Sequence, residues 1–317
     1  MQDQRNHRML KTAGLSLLLT LIVWVAFTWP LPRYMGEGIP FSSQNLEKDH
    51  LRTMFPGDHL QLMYHFQLFR DFLSGDTPWF HNLYEFNTGD DAATKQIRAY
   101  FFPFSFVFAV ISWISTDALA WNLCGLLSLW LTTWFTVLLV RVFVDHPLIP
   151  YAAGVIAICL PWRWVNLLGG SPMGFAMCWI PAFWLGATLL MRDKSWKGGM
   201  LCGLASMFMS FGDFQTYYFS LLSIPAWKLL TVTRFDCLHG WKSRIKPGIP
   251  GIGLVLLGLA HALYAKKAHA NSTLDTGRTL DEVTNCSPEW FNFFTWQGLG
   301  LEAHPFLGYT LVTLLLA

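Results

Sequence analysis

The residues best suited to chemistry stand in one short segment of the chain: Asp58, Gln61 and His65. A carboxylate can accept a proton as a general base or bind a cation, and a histidine titrates near neutral pH. Asp58 also fits a structural role, because Asp followed three positions later by Gln is a capping box at a helix start. A capping carboxylate keeps one oxygen available, so the two roles are compatible.

The segment that carries these residues is predicted to be an amphipathic helix that ends at Gly75. Its apolar face consists of residues at helical spacing, Leu62, Phe66, Phe69 and Leu73. Its opposite face is polar and consists of Gln67, Arg70, Asp71 and Ser74. At about 100° per residue, the three candidate side chains project beside the apolar stripe. A helix of this kind can lie in the membrane interface.

A second group of charged residues follows at 85–98. Asp90 and Asp91 accompany a turn signal, and Arg98 lies just before an apolar segment. The two carboxylates could join Asp58 around Mg²⁺ or Mn²⁺, ions that bind a few carboxylates together with phosphate oxygens. The other interpretation is a solvated turn with charges, and the spacing leaves both open.

The composition places the chain in a membrane. Apolar residues make up 53% of the 317 residues and charged residues only 13%, about half the charged share of an ordinary soluble domain. A soluble fold could not cover this much apolar surface, which excludes a typical cytosolic enzyme. The formal net charge of +2, without a basic stripe, argues against a nucleic-acid partner.

We predict an all-α integral membrane protein with about eight transmembrane helices, in a single polytopic domain over residues 1–317. A helix needs about 20 apolar residues to cross a bilayer. The predicted spans are 13–31, 118–140, 149–165, 173–191, 198–212, 216–232, 249–265 and 305–317. The last one stops within its apolar pattern, which indicates a chain truncated at its C-terminus.

Lys and Arg in the short loops predict a cytoplasmic N-terminus, since basic residues favour the inner side of the membrane. Arg141 and the basic loops at 192–197 and 234–246 then all face the cytoplasm. This topology requires the apolar segment 101–115 to stay at the outer surface rather than cross. The two large outer loops, the first of which contains the interfacial helices, cover about 32–117 and 266–304.

The order of these features resembles the GT-C glycosyltransferases, and among them the bacterial YfhO-like multi-spanning proteins. The shared pattern is one span, a long outer loop with an early Asp and interfacial helices, and then a bundle of many spans. The segments that carry the resemblance are Gly57-Asp58 with Gln61, Gly75-Asp76-Thr77-Pro78-Trp79, Gly89, the Tyr100/Pro103 start of an apolar segment, 211–222 and 307–317.

The resemblance implies a bacterial inner-membrane enzyme that transfers a sugar from a polyprenyl-phosphate-linked donor on the outer face. The acceptor would be a glycan, a lipid or a protein. It also implies that Asp58 is the catalytic base or a metal ligand. His59 and His65 are alternative bases.

Such a transfer needs positive charge to stabilise the leaving phosphate. The candidates are Arg98, Arg163, Lys266, Lys267 and Arg278. Arg163 stands between two tryptophans at a predicted outer membrane edge, where snorkelling with cation–π stacking is the alternative role. The other substrate-binding candidates are Gln61, His65, Asp213 and Gln215. Asp213 also fits a helix cap in a turn.

Two other functions compete with the enzyme. One is a lipid or polysaccharide transporter or flippase, although such proteins favour polar groups at the midplane and broken helices. The other is a non-catalytic, truncated relative of the enzymes. Convergence of Asp58, Asp90 or Asp91, and Asp213 on one outer cavity would favour the enzyme.

Overall fold

The computed structural model describes residues 2–40, 59–77, 101–235 and 242–270. Across these residues every regular element is a helix, which confirms the all-α prediction. The elements are α1 (Gln2–Thr28), a short 3-10 helix (Leu31–Arg33), α2 (His59–Ser74), α3 (Phe104–Ser112), α4 (Asp117–Phe143), α5 (Ile149–Cys159), α6 (Pro161–Leu168), α7 (Pro172–Ala176), α8 (Trp179–Asp193), α9 (Trp196–Gly212), α10 (Phe214–Leu222), α11 (Ile224–Phe235) and α12 (Lys242–Ala270).

Long apolar helices identify the chain as an integral membrane protein. In the part that the structure describes, four segments are long and apolar enough to cross a membrane: Met9–Thr28, Asp117–Phe143, Pro172–Asp193 and Ile245–Lys267. They correspond to the first, second, fourth and seventh predicted spans. The third predicted span is α5 with α6, a pair bent by 50° that would make a fifth crossing. The described helices therefore do not support the predicted count of eight.

The remaining predicted spans account for the difference. The segment 198–212 forms α9, whose 17 residues extend about 26 Å at 1.5 Å per residue, somewhat less than the bilayer core of about 30 Å. The segment 216–232 is divided at Ser223 into two short helices. Pro225 follows this break, because proline is tolerated in the first turn of a helix but not in its interior. The segment 305–317 lies outside the described residues.

The apolar segment 101–115 forms α3, which has nine residues and a length of about 14 Å. A helix of that length cannot cross the bilayer core alone. One face of α3 is buried through Phe104, Ser105, Phe108 and Ala109. This agrees with the requirement that the segment does not cross.

The helices α1 and α4 pack against each other in antiparallel orientation. Near one end, Arg141 Nη1 donates to Thr12 Oγ1 at 2.5 Å. Near the middle, Thr20 Oγ1 donates to Thr133 Oγ1 at 2.9 Å. Arg141 therefore lies at the same end of the bundle as the N-terminal part of α1.

The basic loop after α8 lies at this end as well. Arg192 Nη1 donates to the carbonyl oxygen of Val142, next to Arg141 in the sequence, at 3.3 Å. The N-terminus, the end of α4 and the loop at 192–197 thus share one face, as the charge pattern predicts.

The helices α8, α9 and α12 pack at unusually short distances through glycines. A Cβ atom added to Gly203 of α9 would lie 2.5 Å from the carbonyl oxygen of Gly251 in α12. A Cβ added to Gly198 would lie 2.7 Å from the backbone nitrogen of Leu190 in α8. Small residues allow membrane helices to approach closely where lipid offers no hydrophobic driving force between them.

Candidate functional site

The amphipathic helix α2 is docked on the bundle by the face that its sequence predicts. Leu62, Phe66 and Phe69 are buried, whereas Leu73, the last member of the apolar stripe, is exposed. Gly75 adopts a positive φ of 84° and ends the helix, as predicted.

The polar face of α2 is attached to the start of α4. Gln67 Nε2 donates to Asp117 Oδ2 at 2.8 Å, and Arg70 Nη1 donates to Asp117 Oδ1 at 2.8 Å. Asp117 is the first residue of α4, and the hydroxyl of Thr116 caps this helix by accepting from Leu119 N at 3.2 Å. The helix N-terminus favours the carboxylate. Sequence reasoning missed this clamp, although Thr116-Asp117 before an apolar run is a recognisable helix start.

Phe66 is the centre of an aromatic cluster beneath α2. Its ring centroid lies 5.5 Å from that of Phe108 in α3, 5.7 Å from that of Trp121 in α4 and 5.8 Å from that of Phe175 in α7. Aromatic pairs at these separations stabilise a contact beyond the area that they bury. The helices α2 and α3 therefore cover one side of the bundle, next to α7.

A small apolar crevice lies between α2–α3 and the bundle, and its volume of about 10 Å³ is room for roughly one water molecule. On the side of α2 and α3 it is lined by Leu62, Phe66, Phe101, Phe102 and Phe104. On the bundle side it is lined by Pro172, Phe175, Ala176, Trp179 and Gly212. Leu62 comes four residues after Asp58 in the sequence. A hydrocarbon group could enter this crevice only if the lining side chains moved apart.

His65 and Gln61 have different surroundings on α2. His65 is buried, with 7% of its surface exposed, and its ring centroid lies 5.1 Å from that of Phe101, which lines the crevice. Gln61 is exposed. This placement agrees with a packed, structural histidine.

Arg163 lies inside the bundle, with 2% of its surface exposed, and not at the predicted outer membrane edge. Its Nη1 donates to the carbonyl oxygen of Gly174. Its Nη2 donates to Ser128 Oγ at 2.6 Å and to Thr132 Oγ1 at 3.3 Å, both in the central part of α4. The physical reason is the bend after α5, which turns α6 into the bundle instead of carrying it to the surface.

Asp213 caps α10, because its Oδ2 accepts from Thr216 N at 2.6 Å. It follows Gly212, a lining residue of the crevice. Gln215 is exposed on α10, and Lys266 and Lys267 are exposed near the end of α12. The capping role considered for Asp213 is confirmed, and the three other side chains remain open to solvent or lipid headgroups.

The remaining candidates, and with them the convergence of the carboxylates, lie outside the described residues: Asp58, Asp90, Asp91, Arg98 and Arg278. Within the described ranges, no group of three His, Cys, Asp or Glu side chains is arranged to hold a metal ion. Comparison with protein-family models, with curated proteins and with solved structures finds no match.

Proposed function

We propose that this protein is a membrane glycosyltransferase of the GT-C type that uses a polyprenyl-phosphate-linked sugar. The observation that supports it best is the apolar crevice under α2, together with the sequence position of Asp58 immediately before this helix. The arrangement of one span, interfacial helices and then a bundle agrees with the resemblance seen in the sequence.

The crevice would hold the part of the isoprenoid tail nearest to the phosphate. Its lining is apolar, so a hydrocarbon tail could enter it without burying an unpaired polar group. Its volume of about 10 Å³ is far below the roughly 300–1,000 Å³ of typical ligand pockets, so the lining side chains would have to move apart to admit even the first isoprene unit. The rest of a long tail would therefore extend along the lipid-facing helices.

The chemistry would occur at the outer end of the bundle. Asp58 would take the proton from the acceptor, and Arg98, Lys266 and Lys267 would supply positive charge for the leaving phosphate. The carboxylates of Asp58, Asp90 and Asp91 would hold the proposed Mg²⁺ or Mn²⁺, which would supply further positive charge for the leaving phosphate.

The cellular setting belongs to the same proposal. The protein would lie in a bacterial inner membrane with a cytoplasmic N-terminus, which gives it a polyprenyl-phosphate donor and an outer-face acceptor glycan, lipid or protein as partners.

Replacement of the proposed base tests this function. Asp58→Asn should lower transfer from a panel of labelled polyprenyl-phosphate sugars by at least about a hundredfold, the usual contribution of a general base. The amide still accepts a capping hydrogen bond, so thermal unfolding should change little. Asp76→Asn, an exposed acid beyond the same helix, is the control. Wild-type transfer by the Asp58 variant would refute the role, and a wild-type protein inactive with every donor would favour the non-catalytic relative.

One observation favours a flippase as the second candidate. The α5–α6 segment is bent by 50° with the buried cation Arg163 after the bend, and broken helices with interior charge are typical of transporters. Movement of a fluorescent polyprenyl phosphate between leaflets of proteoliposomes, without sugar transfer, would support this candidate instead.

A further inference from the structure

Arg163 is a buried cation whose contacts in the described residues are neutral. Its partners are one carbonyl oxygen and two hydroxyl oxygens, and no carboxylate among the described residues pairs with it. Its Nε has no hydrogen-bond partner there. A charge in this setting is costly in a membrane, and intramembrane ionisable groups usually serve a function.

Arg163 is connected to α7 directly and also through Ser128 of α4. Gly174 O accepts from Arg163, and the next carbonyl, Phe175 O, accepts from Ser128 Oγ at 2.7 Å. A helix of five residues leaves its last carbonyls without partners inside the helix. Within a bilayer such carbonyls must be satisfied by other protein groups. Arg163 and Ser128 provide this for α7.

The hydroxyl groups are oriented consistently with this arrangement. Ser128 Oγ gives its hydrogen to Phe175 O, and Thr132 Oγ1 gives its hydrogen to Ser128 O at 2.8 Å. Both oxygens therefore remain acceptors for Arg163 Nη2. The guanidinium thus links the central part of α4 to α7 through bonds that each have one donor and one acceptor.

The hairpin formed by α6 and α7 has little room to adjust. Gly170 in its turn has a φ of 69°, a region that favours glycine. A Cβ on Gly174 would lie 2.5 Å from the backbone of Asn166. The opposite side of α7 lines the crevice through Pro172, Phe175 and Ala176. Displacement of α7 would therefore change the crevice directly.

We propose that Arg163 is a positioning residue, which holds α7 in place as one wall of the apolar crevice and does not itself contact a donor phosphate. The consequence of this support for binding an isoprenyl phosphate rests on the proposed function.

Hydrogen exchange of the full-length protein in nanodiscs, read by mass spectrometry, tests the wall directly. In Arg163→Met, amides in 166–177 should exchange at least about tenfold faster, since a hydrogen bond from a charged donor contributes at least that factor to an opening equilibrium. Amides in 203–212 of α9 should keep their rates. Arg163→Lys retains a charged donor and should lie between wild type and Arg163→Met. Arg192→Met, an exposed arginine at the far end of α8, is the control.

Unchanged exchange in 166–177 of Arg163→Met would overturn the proposal. If that variant also exchanges faster in α9, it has lost its global fold, and Ser128→Ala then decides. This variant removes one acceptor of Arg163 and the donor to Phe175 O. Faster exchange confined to 166–177 would support the positioning role, and wild-type exchange would refute it.

Cross-linking with a photoreactive farnesyl phosphate tests whether the support of α7 affects ligand binding. Cross-linking to 172–179 should fall in Arg163→Met together with the faster exchange. Loss of cross-linking with wild-type exchange would indicate direct contact with the phosphate and overturn the proposal. If wild-type protein does not cross-link at all, the donor assigned under the proposed function is refuted, while the exchange experiment still decides the role of Arg163.

Discussion

Arg70 Nη1 donates to Asp117 Oδ1 at 2.8 Å, and this ion pair joins the interfacial helix α2 to the first turn of α4. Gln67 occupies the second oxygen of the same carboxylate. These two contacts therefore fix the position of α2, which follows Asp58 in the sequence and contributes Leu62 to the lining of the crevice.

Removal of the clamp should loosen α2. In Asp117→Ala, Arg70 and Gln67 lose their acceptor, and the free energy of unfolding should fall by about 1 kcal/mol, since the pair is partly exposed. Amides of α2 should exchange faster in this variant than in wild type, whereas those of α9 should keep their rates. Thermal unfolding and hydrogen exchange in detergent measure both, with Asp76→Ala as the matched acidic control. Equal behaviour of the two variants would show that the clamp does not hold α2.

The orientation of the bundle can be tested by labelling single cysteines in a cysteine-free background. A cysteine at Lys194 should react only with reagent on the cytoplasmic side, because the basic end of the bundle is expected to face inward. A cysteine at Gln61, exposed on α2, should react only from outside. Outside labelling at 194 would reverse the predicted topology.

The close packing of α9 and α12 should not tolerate a methyl group. A Cβ at Gly251 would collide with the carbonyl oxygen of Gly199, whereas a Cβ at Gly253 in the same helix meets no atom within 4 Å. Gly251→Ala should destabilise the protein by about 1–3 kcal/mol, and Gly253→Ala should be neutral or stabilising because alanine favours a helix. Thermal unfolding compares the two, and equal midpoints would contradict this interface.

Lys266 and Lys267 should attract an anionic donor headgroup. Replacing both with Gln should weaken binding of a polyprenyl phosphate by about fivefold per residue at low salt, from about 1 kcal/mol per basic residue near a charged membrane surface. The effect should shrink at high salt, because salt screens exposed charges. Lys246→Gln, an exposed lysine near the other end of α12, is the control. Unchanged affinity of the double variant at low salt would exclude both residues from the headgroup site.

Local patterns in the sequence were sufficient to predict much of this fold. Apolar runs of about 20 residues predicted α1, α4 and the later long spans, because the thickness of the bilayer sets the length of a crossing helix. The stripe of Leu62, Phe66 and Phe69 predicted the buried face of α2, since helical periodicity decides which side chains share a face. Charge distribution predicted which helix ends lie together, because basic loops favour one side of the membrane.

Long-range packing decided the rest. Arg163 has tryptophan on both sides in the sequence, yet its partners are Ser128 and Thr132, more than 30 positions away. Asp117 likewise receives Arg70 from a helix 47 positions earlier. Hydropathy alone cannot specify such contacts, because they depend on the bend between α5 and α6 and on the packing of α2 and α3 against the bundle. From its sequence context Arg163 has the character of an interfacial arginine. Only the tertiary structure places it in the interior of the bundle, where it supports the crevice.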